Sequence, residues 1–177
     1  MIKLENSHMY CSGKYNIRII EAKDIDWARK LHNDPEVLFM LTDSTFVSEI
    51  QQKVWYERLS LSNSSRRYVI EYEGENIGLI RLDDIDLLNR SICVGLDIKK
   101  KYRRNGHGYH SFKLLIKYCF DELNMNRIWL LVASFNINAI GLYNKLGFKE
   151  EGRQRERLFR NGKYSDYIMM SILRSEF

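Results

Sequence analysis

Cysteine and proline are both scarce. Cys11, Cys93 and Cys119 are odd in number, far apart and without metal-ligand spacing. That excludes a disulfide framework and points to a reducing compartment, the cytoplasm. Pro35 is the sole proline, and no Pro- or Gly-rich linker, internal repeat or low-complexity tract divides the chain. No apolar run approaches the ~20 residues of a membrane-spanning helix. The opening "MIKLENSHMYCSG" lacks the apolar stretch of a secretory leader. These absences predict one globular domain over residues 1–177, with no membrane partner.

Charge of one sign is also in short supply. The 28 basic residues exceed the 23 acidic ones by only enough for a net charge of +5. The two signs are interleaved rather than gathered on one face, which argues against nucleic acid. An anionic small ligand suits the excess equally well. An apolar fraction of 45% is enough for a full core.

Periodicity gives the elements. "YNIRII" alternates as a strand. "DIDWARKLHN" reads as a short helix, and "DPEVLFML" restarts one with Asp34 as N-cap and Pro35 at the first helical position. Ser48 and Gln51 form a capping box for "SEIQQKVWYERL". "RRYVIEY" and "NIGLIRL" form a hairpin around "EGEN", and "SICVGLDI" follows as a third strand. A helix follows with Phe112, Leu115, Ile116, Cys119, Phe120 and Leu123 on one face. "RIWLLVAS" is apolar enough for a strand buried on both faces. "NAIGLYNKLG" is a helix closed by Gly147, and the last two strands flank "RNGK". A mixed α/β sheet covered by helices is the expected class.

Between the third strand and its helix lies "YRRNGHGYH". Two glycines at a helix start suit close approach of an anion to free backbone N–H groups. A Walker loop requires Gly-Lys-Ser/Thr, whereas Tyr109 and His110 follow Gly108. A dinucleotide fingerprint requires a third glycine, whereas position 111 is Ser. His107 and His110 have no metal-ligand company, so no metal is assigned.

"RRNGHG" matches Arg/Gln-x-x-Gly-x-Gly/Ala, and "NINAIGLYNKLGF" follows at the spacing Asn-x-x-Ala-x-x-x-Tyr-x-Lys-x-Gly-Phe. Together they resemble the GCN5-related N-acetyltransferase superfamily, and the pattern extends from Tyr15 to Leu173. "HNDPEVLFML", "RRYVIEYEGENIGLIRLDDID" and "EEGRQRERLFRNGKYSDYIMMSIL" are most similar to the branch of ribosomal-protein alanine, spermidine and nucleotide-sugar amine acetyltransferases. The resemblance implies a mostly antiparallel sheet of about seven strands with a splayed central parallel pair, flanked by about four helices. It implies acetyl-CoA, or another acyl-CoA, as donor and a primary amine as acceptor.

The resemblance also distributes roles. Arg103, Arg104, Asn105, Gly106, His107 and Gly108 would bind the CoA pyrophosphate, and the backbone of Leu96, Asp97 and Ile98 the pantetheine arm. Asn136 would touch that arm or cap its own helix. Tyr143 stands at the general-acid position. Many relatives carry Glu near the start of the first splayed strand; here that residue is Cys93, which leaves the base open, with Asp83, Asp84 and Asp86 as candidates. Cys93 itself has no histidine or basic neighbour in sequence and reads as structural. An acceptor pocket made by the first helices and the last hairpin would draw on Asp43, Ser44, Asp84 and Tyr164. "MLTDSTF" offers a polyamine a single carboxylate, whereas the basic excess would suit a diphosphate. An amino sugar on a nucleotide is therefore the favoured acceptor, with a polyamine or a protein N-terminus as alternatives and a non-catalytic acyl-CoA sensor as the reading of another class. A homodimer is a possible assembly.

Overall fold

The computed structural model describes residues 9–177. Most of the stretch read above for a leader lies outside the described residues. Eight strands form one sheet in the order β1-β2-β3-β4-β5-β6-β8-β7. They are β1 (Met9–Ser12), β2 (Tyr15–Ile19), β3 (Arg66–Tyr72), β4 (Glu75–Asp86), β5 (Ser91–Ile98), β6 (Arg127–Ala133), β7 (Lys149–Arg160) and β8 (Lys163–Leu173). The helices are α1 (Ile25–His32), α2 (Pro35–Leu38), α3 (Glu49–Leu61), α4 (His107–Asp121) and α5 (Ile137–Lys145). The strand beyond the expected seven is β1, which pairs with β2 across a turn at Gly13 (φ +60°). It is too short to show an alternating pattern.

Local chemistry explains the other joints. The Asp34 side chain accepts from Glu36 N–H at 2.8 Å and caps α2, with Pro35 behind it. Ser48 and Gln51 close their box at the start of α3. Glu73 and Gly74 both take positive φ, as do Asn161 and Gly162, which fits the tight hairpins at these two turns.

All sheet pairings are antiparallel except β5 with β6. That parallel pair is short: Ser91 meets Arg127, Ile92 meets Ile128 and Cys93 meets Trp129, and the pairing then stops. Beyond Cys93, β5 stays on β4 while β6 stays on β8, so a seam opens in the middle of the sheet. Below the sheet, α4 buries Phe112, Leu115, Ile116, Cys119 and Phe120 against Ile80, Leu82, Ile92 and Val94. Above it, α1 and α2 bury Ala28, Leu31, Val37 and Leu38 against Val69 and Leu79. β6 departs from the doubly buried strand expected of it. Ile128, Leu130 and Val132 are buried, but Trp129 and Leu131 on the other face are only partly covered.

Candidate active site

The seam exposes one edge of β5. Asp97 directs its carbonyl to β4, since a Cβ built on Gly78 would meet it at 2.5 Å, and the Lys99 N–H bonds to Ile77. Alternation then turns the peptide groups of Leu96 and Ile98 toward the seam. The Ile98 carbonyl is taken there by Arg103 Nε at 2.8 Å. The Leu96 peptide is thus presented to an extended, amide-bearing chain laid beside it like a further strand. Of the three backbone positions expected on the cofactor, Leu96 and Ile98 face the seam. Asp97 gives its backbone to β4 and its side chain to the cavity above.

At the end of β5 the glycine loop opens α4. Gly106 has φ +81° and forms the N-cap, a left-handed conformation that suits glycine. The first helical bond runs from His110 N–H to the Gly106 carbonyl, so the preceding N–H groups are those a helix leaves unpartnered. A Cβ on Gly108 would meet only Leu142, at 3.6 Å. The loop therefore has room at the helix N-terminus for an anionic group such as pyrophosphate. Arg104 and Asn105 are exposed. Arg103 is committed elsewhere: besides Ile98 it holds Glu36 of α2 at 2.8 Å and braces the loop. The His107 ring turns inward, with Nδ1 2.8 Å from the Tyr15 hydroxyl and its plane edge-on to Tyr72 and Tyr102. Only its backbone is offered to a ligand.

The α5 helix places Tyr143 beside the seam. Asn136 caps this helix, accepting from Ala139 N–H at 3.2 Å. The Tyr143 ring packs on Phe112 and Phe148. Burial pushes its phenol up to about 12, with Asp97 and Cys93 adding to the effect and Arg81 opposing it. The hydroxyl therefore keeps its proton at neutral pH. Arg81 and Asp97, which project from the opposite face of the sheet, are close enough to act on it electrostatically. Burial also pushes the Cys93 thiol up to about 12, with Asp83 and Asp84 reinforcing it. A thiol so held is neither nucleophile nor base.

Above the seam is a cavity of about 390 Å³, walled by α1, the segment 41–47, α3 and the exposed face of β3, β4 and β5. Its floor carries charge. Arg67 grips both oxygens of Asp83 at 2.8 and 3.2 Å. Next to it, Arg81 Nε lies 3.4 Å from Asp97 Oδ2. Arg81 fits only because its cross-strand partner is glycine: a Cβ on Gly95 would stand 2.7 Å from its guanidinium. Asp43 lines the rim and stays well below the usual carboxylate range, because the Thr45 hydroxyl and N–H both donate to it. The last hairpin anchors the rim rather than forming the wall. Arg160 donates to the carbonyls of Phe39, Leu41 and Thr42, and Tyr167 bonds the Thr42 hydroxyl.

The expected acceptor residues scatter. Asp43 lies on the cavity, and Ser44 beside it is exposed. Asp84 sits outside, exposed, in the irregular stretch between Asp83 and Asp86, with φ +48°. Tyr164 is 64% exposed at the hairpin tip, packed on Phe159. Arg81, Gly95 and the Asp97 side chain were missed. The signal was the arginine in "NIGLIRL", a charge within a strand otherwise apolar. Nor does the basic excess gather on the cavity floor as free positive charge, since Arg67 and Arg81 each face an aspartate. The cavity floor thus lends no support to a diphosphate-bearing acceptor.

The described helices include none long and apolar enough to cross a membrane. Comparison with known proteins agrees with the geometry. A spermidine N(1)-acetyltransferase of Escherichia coli K12 is 29% identical over 161 residues, 91% of this chain and 87% of that protein. The crystal structure of spermidine N-acetyltransferase from Vibrio cholerae in complex with CoA and spermine superposes with a TM-score of 0.89 at 28% identity, covering 93% of this chain and 98% of that one. The same enzyme in a dodecameric form superposes at 0.81 with 29% identity, over 93% and 96% of the two chains. The Acetyltransferase (GNAT) family profile matches residues 26–148. With its split β5–β6 pair, glycine-opened α4 and seam-side tyrosine, the chain belongs to the GNAT family, the N-acetyltransferases that use acetyl-CoA as co-substrate.

Proposed function

We propose that this enzyme acetylates a primary amine of a small polyamine. The observation that carries the reading is the seam, with a protonated Tyr143 on one side and a charged, amine-sized cavity on the other. The donor arm lies along the Leu96 edge, its pyrophosphate on the N-terminus of α4. The amine enters from the cavity above and attacks the thioester directly. Tyr143 gives its proton to the departing sulfur; burial keeps the phenol protonated at neutral pH, so the proton is in place when the C–S bond breaks. A tyrosine kept protonated in this place favours turnover over a sensor role.

The acceptor follows from charge. Asp43 and Asp97 face a cavity whose floor arginines, Arg67 and Arg81, are each paired with an aspartate. A cationic chain meets carboxylate oxygens there, while an acceptor bearing a diphosphate meets arginines already paired with carboxylates. The spermidine acetyltransferases among the relatives support the same choice and displace the nucleotide sugar expected from bulk charge. Assembly into a multimer is part of this proposal. The outer face of α3 and the segment before it expose Phe46, Ile50 and Leu61 at 65, 75 and 84%, a stripe suited to burial against another subunit.

The test is release of free thiol from acetyl-CoA with a panel containing spermidine, spermine, an amino-sugar nucleotide and a peptide N-terminus. Spermidine or spermine should give the highest kcat/KM. Faster turnover of the sugar nucleotide or the peptide would overturn the polyamine assignment.

A further inference from the structure

We infer that Asp97 is the group that accepts the proton of the incoming ammonium, and that Arg81, seated over Gly95, positions it. The inference rests on the acetyl-transfer reading of the site but not on which amine is the acceptor.

An alkylammonium resembles the lysine side chain, with a pKa near 10.4, so only one in ~10³ is free amine at neutral pH. A proton must leave before nitrogen can attack, and Cys93, on the same face of β5, is a thiol that burial keeps protonated. The nearby carboxylates differ in how they are bound. Both oxygens of Asp83 are engaged by Arg67. Asp84 is exposed outside the cavity, and Asp86 is turned to Asn89, with 2.8 and 2.7 Å bonds to its N–H and side chain. Asp43 lies at the rim, bound to Thr45. Asp97 alone among these combines a place in the cavity floor, a side chain 15% exposed and a loose partner: Arg81 at 3.4 Å, whose buried Nε completes no hydrogen bond. It projects from the same strand whose edge receives the donor arm, and Tyr143 lies within reach of its charge.

The proton balance closes. Asp97 takes one proton from the ammonium and passes it to solvent through the cavity. The freed lone pair forms the C–N bond as the C–S electron pair leaves on sulfur. Tyr143 protonates that sulfur, and the second proton shed by nitrogen replaces the one Tyr143 has given. Around Asp97 stand Arg81 from β4, the Arg67–Asp83 pair beyond it, Cys93 on its own strand, Tyr143 from α5, and His32 and Asp43 across the cavity. Gln51, Gln52 and Trp55, the α3 residues at the cavity, carry no charge.

The experiment uses the alkylamine that the wild-type enzyme acetylates fastest, beside an acceptor amine already neutral at pH 7. Asp97→Asn keeps the side-chain shape. It should lower kcat/KM for the alkylamine about 10²–10³-fold at pH 7, within the range of general-base effects. The deficit should shrink about tenfold per pH unit toward alkaline pH, and should nearly vanish with the neutral amine. CoA affinity by calorimetry and the thermal midpoint should stay near wild type. Arg81→Gln should lower kcat for the alkylamine about tenfold while KM and the rate with the neutral amine stay near wild type, because the side chain that positions Asp97 is gone. If Asp97→Asn does not fold, Arg81→Gln/Asp97→Asn, which removes the pair as a neutral unit, takes the same measurements. Activity within threefold of wild type, or a loss equal at every pH and for both amines, would overturn the assignment. Failure of spermidine in the panel, with the Asp97 signature intact on another amine, would overturn the polyamine reading alone.

Discussion

Two partly buried arginine–aspartate pairs lie on the same sheet, and they are built to different standards. Arg18 on β2 is saturated. It forks onto Asp24 at 2.6 and 2.9 Å, holds Glu71 at 2.6 Å, and donates to Asn76 and the Ile19 carbonyl. Asp24 in turn accepts from Glu21 N–H and from Asn76. Burial would raise the Asp24 carboxyl, but the Arg18 and backbone hydrogen bonds outweigh it and leave the group below the usual carboxylate range. Arg81 has one partner at 3.4 Å and a buried N–H left over. A saturated pair fixes chain geometry; it ties the turn before α1 to β2 and β3. An unsaturated pair leaves hydrogen-bonding capacity for a visitor. Buried polar groups are normally satisfied; among the described residues Arg81 shares its unpartnered buried N–H with Trp27 and Arg29, but of these it alone lies on the cavity beside a carboxylate.

Tyr143→Phe should have the largest effect. The ring and its packing on Phe112 remain, the donor is lost, and kcat should fall ~10²–10⁴-fold with little change in CoA affinity. A kcat within threefold of wild type, with chemistry rate-limiting, would remove Tyr143 as the acid. Gly95→Val comes next. The new Cβ collides with the Arg81 guanidinium and turns it away from Asp97, so steady-state turnover should drop about 10²-fold while the thermal midpoint moves little. A folded Gly95→Val enzyme with wild-type kcat would show that the Arg81–Asp97 contact is ornamental.

Asp24→Ala should invert that pattern. Breaking a buried pair costs about 3–5 kcal/mol, and retention of Glu71 on Arg18 places this case near 3. Denaturant unfolding should show that loss at pH 7, while kcat stays near wild type. The sign with pH follows from the lowered carboxyl: its stabilisation is present above the unfolded value of about 4 and is lost as pH falls through the folded one. Wild type and Asp24→Asn should therefore converge in acid, and a gap that persists there would refute the linkage. Gly108→Val should weaken CoA binding at least tenfold by calorimetry without unfolding the chain, since the site of its Cβ meets only Leu142. Cys93→Ala should change least. Turnover should stay within a few-fold, and an acyl-enzyme seen by mass spectrometry and lost in this variant would contradict direct attack.

Much of the scaffold was legible because local chemistry and tertiary demand agree. Gly106 sits in the left-handed region at an N-cap, and Pro35, Asp34, Ser48 and Gln51 do at their helix starts what their types allow anywhere. What escaped depends on register. That Arg81 faces Gly95, and Asp97 lies one diagonal away, follows only once β4 and β5 are paired. Tyr164 and Asp84 were placed by likeness of neighbourhood, and both face solvent outside the cavity. Bulk charge pointed to a sugar nucleotide, whereas the relatives favour a polyamine; pairing of Arg67 and Arg81 with aspartates shows how net charge fails to describe a local site.

The seam also makes the fold's stability a concentration-dependent quantity. A ligand that pairs with the Leu96 edge binds the native chain and not the unfolded one, so its free energy adds to that of folding. At one hundred times its dissociation constant it adds about 2.7 kcal/mol. Amide exchange at Leu96 and along the facing part of β6, Leu130 to Ala133, should slow in step with CoA, while the closed end at Ile92 and Ile128 stays indifferent. A split pair of this kind would make the resistance of the native chain to unfolding rise with the concentration of the acyl donor.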